Sequence, residues 1–150
     1  MKTIVFFILS LLCFPLLANE LSGNWKVYEN KDCRYDLSIE FTETSVLFKY
    51  MYGTHKLSLG KLETSTENND NISDTKTKGC DLSEDKSKLF CSYSYLNVRR
   101  ENFSAHDIFY SISTINYSIF HGELIVDSFS QDNENLALGA SHSCIYHRVN

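Results

Sequence analysis

Across 150 residues the chain carries one proline, six glycines and one tryptophan. The proline, Pro15, falls within the first 18 residues, so every later turn must be built from Gly, Asn, Asp, Ser or Thr. No stretch after residue 18 reaches the roughly 20 apolar residues that a membrane-spanning helix needs, which excludes a helical anchor there. No Lys/Arg cluster exceeds Arg99 with Arg100, and without one an acidic chain repels nucleic acid. The sequence also lacks GxSxG, HExxH, Gly-rich phosphate loops and calcium-loop patterns. No catalytic residue and no cofactor site is therefore nominated, and neighbours such as His106 with Asp107, or His121 with Glu123, read as solvated loop residues. Apolar repeats at helical spacing are missing too, apart from one or two turns over Asp132–Leu138.

What is present begins with a leader. Met1 and Lys2 precede an apolar run from Thr3 to Leu17, followed by Ala18 and a polar continuation. This order of basic start, short apolar run and small residue is that of a secretory signal cleaved after Ala18. Cys13 follows Leu12, not a small residue, and the apolar run continues past it, so lipid attachment there is not expected. Cleavage leaves 132 of the 150 residues as one soluble domain over 19–150, secreted or periplasmic, and loss of Lys2 moves the net charge from −5 to −6.

Four cysteines remain, Cys33, Cys80, Cys91 and Cys144. An even count in an oxidising compartment points to two disulfides, for which three connectivities exist. Asp81–Lys88 reads as a polar turn that brings Cys80 to Cys91, leaving Cys33 for Cys144. Paired CxxC spacing is absent, so the cysteines are not read as zinc ligands, even with His142 and Cys144 on one strand face.

The remaining pattern is one of strands. Tyr35, Leu37, Ile39 and Phe41 alternate with Asp36, Ser38 and Glu40, placing one face in a core and the other in water. Further strands are expected over Asn24–Glu29, Val46–Tyr52, His55–Leu62, Lys88–Val98, Asp107–Ser113, Ile115–Phe120, Gly122–Phe129 and His142–Val149. Residues 63–78 have Ile72 as their only apolar member and read as a flexible polar loop. The expected fold is all-β: an antiparallel up-and-down meander forming a small closed or partly closed barrel of about eight or nine strands. Asn71, Asn102 and Asn116 each stand in an Asn-x-Ser match, which carries meaning only in a eukaryotic host. The tyrosines Tyr93, Tyr95, Tyr110, Tyr117 and Tyr146 are candidates to line a cavity or a partner-facing surface.

The opening Leu21-Ser22-Gly23-Asn24-Trp25-Lys26-Val27-Tyr28 resembles the first strand of lipocalin-like (calycin-type) small β-barrels, which begin Gly-x-Trp. The resemblance implies that Trp25 closes one end of a barrel and packs against Arg148 from the last strand. It further implies a mouth that takes a small apolar ligand, with Tyr35, Leu37, Ile39, Phe41, Tyr93 and Tyr95 as inward-facing ligand-binding residues. The expected function is thus an exported protein that carries or sequesters such a ligand. A surface-binding protein, such as an inhibitor of an exported hydrolase, stands as the alternative, with an exported protein as its partner.

Overall fold

The computed structural model describes residues 19–28, 33–69, 71–99, 108–134 and 139–149. The leader, with Cys13 and Pro15, lies outside the described residues, as do His106, Asp107, Asn102, Arg100 and most of 132–138.

Among the described residues, ten strands form one antiparallel sheet: β1 (Gly23–Val27), β2 (Leu37–Phe41), β3 (Ser45–Tyr50), β4 (Gly53–Ser58), β5 (Glu63–Asn68), β6 (Ile72–Leu82), β7 (Lys88–Arg99), β8 (Ile108–Phe120), β9 (Glu123–Asp132) and β10 (Ala140–Val149). Their order, β4-β3-β2-β1-β10-β9-β8-β7-β6-β5, is a meander in which β1 and β10 pair and only β4 and β5 stay apart. Leu59 closes most of that gap by bridging to Cys80, with the Gly60 amide donating to the Cys80 carbonyl at 2.9 Å. The result is a nearly closed barrel.

The strand count differs from the expected eight or nine through two opposing changes, one that removes a strand and one that adds two. Ile108–Phe120 is one strand rather than two, because Thr114 is β-branched and stays in register opposite Ser92 and Phe129. The stretch 63–78, expected as a flexible loop, is instead the β5 strand and most of β6. Alternating Thr supplies what apolar residues do not: Thr64 meets Thr77 at 3.0 Å and Thr66 meets Thr75 at 3.1 Å, hydroxyl to hydroxyl across the pair. The Asn69 carboxamide oxygen accepts the Ile72 amide at 3.0 Å and shapes the turn.

Strand length divides the barrel into two walls. β1–β4 hold five or six residues each, whereas β6–β10 hold ten to thirteen. The low wall and the matching ends of the tall wall enclose the core, which contains Leu21, Trp25, Leu37, Ile39, Val46, Phe48, Leu57, Leu89, Tyr117 and Leu124. Phe48 and Tyr117 stack across it with ring centres 4.8 Å apart. Both disulfides join the walls or brace one of them: Cys33 bonds Cys144 and Cys80 bonds Cys91, the pairs preferred from the sequence. Two disulfides fit an oxidising compartment such as the periplasm or the exterior. Among the described residues, no helix is long and apolar enough to cross a membrane.

Candidate functional site

Side chains alternate along the tall wall, so its projecting half presents two distinct faces. The inner face is set by Cys80 and Cys91, which point into the core. Counting outward by twos places Lys78, Lys76 and Asp74 on β6 opposite Tyr93, Tyr95 and Asn97 on β7, with Ser113 and Ser111 next on β8. Two ranks result, Lys78-Tyr93-Ser113 and Lys76-Tyr95-Ser111, and they line a concavity of about 260 Å³. The Lys76 ammonium sits 5.9 Å from the centre of the Tyr95 ring. Asp74 anchors the outer edge, accepting from the Asn97 amide at 2.6 Å and the Tyr95 hydroxyl at 2.8 Å. Those two donors, Asn97 first, hold its carboxyl below the usual carboxylate range.

Below this concavity the barrel interior is filled by its own side chains. Leu37 and Ile39 are fully buried core members and Phe41 packs beside them. Tyr35, expected on the same inward row, is instead 40% exposed, because β2 starts only at Leu37. It stands at the rim with Tyr52, ring centres 5.2 Å apart and edge to face. Tyr117 and Tyr146 belong to that core, and Tyr50 and Tyr93 pack against it. Burial first and neighbouring Tyr50 second push the Tyr93 phenol up to about 12. The same burial raises Tyr117 and Tyr146. All of these phenols are therefore neutral donors at physiological pH.

The structure thus brings Tyr93 and Tyr95 together but separates them from Tyr35, Leu37, Ile39 and Phe41. Tyr110 faces the opposite way, on the outer side across from Leu96. Lys76 and Lys78 are missing from the sequence-based candidates because 63–78 reads as a loop, with no apolar face to mark a strand. Elsewhere, Tyr28 donates to Glu123 at 3.0 Å, and its ring lies 5.0 Å from that of His147. Among the described residues, no group of His, Cys, Asp and Glu is arranged to hold a metal ion. His142 lies opposite Ser128, across β9–β10. Asn71 is exposed beside the β5–β6 turn, whereas Asn116 is half-buried in the middle of β8.

No protein-family model, curated protein or solved structure matches this chain.

Proposed function

We propose that this chain is an exported, lipocalin-like binding protein whose ligand is a small molecule with an apolar body and an anionic head. One observation carries the reading: Tyr93 and Tyr95 stand side by side above a packed core, flanked by Lys76 and Lys78. The rings supply apolar area with polar tips, and the two ammonium groups supply countercharge for an anionic head. Because the interior is occupied by Leu37, Ile39 and Phe48, the ligand rests at the mouth against the tall wall. A mouth site of this kind suits sequestration with moderate affinity better than deep enclosure.

Titration with a fluorescent fatty-acid probe tests this. Saturable binding is expected, weakened by Tyr95→Ala and by Lys76→Glu with Lys78→Glu, with circular dichroism confirming the fold. Absence of saturable binding by the unaltered protein overturns the reading.

The alternative, a surface binder such as an inhibitor of an exported hydrolase, is favoured by one feature. Leu96, Ile108 and Ile112 lie exposed together on the outer side of β7 and β8, and contiguous apolar exposure marks interaction surfaces. Recovery of a stoichiometric exported hydrolase in a pull-down, lost on Ile112→Lys, would establish it.

A further inference from the structure

A second recess lies on the opposite face of the tall wall, away from the mouth. One rank across four strands reads Phe90, Asn116, Asp127 and Ser143, and the next reads Thr114, Phe129 and Ser141. Together they line a groove of about 460 Å³, within the roughly 300–1,000 Å³ of small-molecule sites. Phe90 and Phe129 stand diagonally as its walls, 57% and 42% exposed. The Phe129 ring is seated against Gly139, where a Cβ would come within 2.5 Å of it. On the floor, the Asn116 carboxamide oxygen is buried and meets no hydrogen-bond donor among the described residues. A buried acceptor left without a donor costs stability, which is recovered when a ligand supplies one.

The lining selects the ligand by exclusion. Its ionisable members are Asp127 and His142, and among the described residues it holds neither Lys nor Arg, so an anion meets the Asp127 carboxylate and no permanent countercharge. A purely apolar ligand would cover Asn116, Asp127, Thr114, Ser141 and Ser143 without meeting their hydrogen-bonding needs. What satisfies both walls and floor is a neutral molecule with flat C–H faces and hydroxyls around its edge. We propose that this groove binds a neutral saccharide, with the C–H faces of its rings on Phe90 and Phe129 and its hydroxyls donating to Asn116 and Asp127. Dispersion against the rings and charge-assisted bonds to the carboxylate supply the attraction.

Calorimetric titration of the full chain with cellotetraose, maltotetraose, laminaritetraose and chitotetraose tests the proposal. At least one is expected to bind, with affinity falling about tenfold or more in Phe90→Ala, Phe129→Ala and Asp127→Ala. These side chains are exposed, so the variants keep the fold, and Tyr95→Ala at the mouth should leave saccharide binding unchanged. No measurable binding of any of the four at about 10 mM overturns it. So does binding that is indifferent to all three groove variants. An anilinonaphthalene probe that binds through Phe90 and Phe129 while the saccharides do not would identify the groove as merely apolar, and would equally overturn it.

Discussion

The Arg148 guanidinium lies 4.6 Å from the centre of the Trp25 ring, and the two residues face each other directly across β1 and β10. Trp25 is fully buried and its indole N–H donates to the Leu21 carbonyl at 3.0 Å, while Arg148 is exposed and donates to the Glu20 carbonyl. The pair is therefore energetically lopsided. Trp25→Ala is expected to cost about 3 to 5 kcal/mol, since it removes the largest fully buried side chain. Arg148→Ala should cost only about 0.5 to 1 kcal/mol, the worth of a cation–π contact at an exposed site. Urea unfolding of both variants checks the ratio, and comparable losses would mean that Arg148 holds more than the ring.

The two disulfides differ in span, 111 residues for Cys33–Cys144 against 11 for Cys80–Cys91. In the chain-entropy model the longer loop is worth about 5 kcal/mol and the shorter about 3. Replacing both cysteines of the longer pair by serine should therefore lower the urea midpoint further than replacing both of the shorter pair. Because Cys33 belongs to the low wall's entry and Cys144 to the tall wall, the first change also removes the covalent tie between the walls and leaves the β1–β10 pairing to join them. The reverse ranking would mean that the Cys80–Cys91 bond, beside the β4–β6 contact, guards the opening that leads to unfolding.

How much of this was legible in the sequence depends on what carried the signal. Tyr35–Phe41 announced a half-buried strand by alternation, and Leu37 and Ile39 are buried as that pattern requires. The β5–β6 hairpin was not legible, because sequence patterning registers strands by the apolar face they bury, and here both faces of β5 meet water. Charged Glu63 and Glu67 along its open edge suit a strand that must not pair with other chains. Half of the mouth was visible as tyrosines, but Lys76 and Lys78 join them only once β6 is known to pair with β7. The outer groove was invisible for a related reason: Phe90, Asn116, Asp127 and Ser143 come from four strands, and only register aligns them.

Alkaline pH should destabilise the protein through its inner phenols. Tyr93 ionises near 12 in the folded chain and near 10 when unfolded. An acid held neutral by folding contributes stability that is complete below the unfolded value, so it is lost as pH rises from about 10 to about 12. Urea midpoints measured across that window, with tyrosinate absorbance followed in parallel, should fall steeply, and Tyr93→Phe should flatten part of the slope. A level midpoint accompanied by full tyrosinate absorbance would place the Tyr93 hydroxyl in water.

The seam of the barrel depends on the absence of one methyl group. Gly79 sits where the chain after β4 crosses β6, and a Cβ there would lie 2.3 Å from the Lys61 carbonyl oxygen and 3.1 Å from a Leu62 methyl. The leucine can turn aside, but a backbone oxygen cannot move without its peptide. Gly79→Ala must therefore push the Lys61 peptide away from β6 and pull at the neighbouring Gly60 amide bond to Cys80. Overpacking of this kind costs about 1 to 3 kcal/mol. Since Cys80 remains tied to Cys91, the damage should stay at the seam: hydrogen exchange is expected to quicken at the Gly60 amide while the β6–β7 amides keep their protection. Uniform loss of protection instead would show that the single bridge at Leu59 and Cys80 holds the whole barrel together.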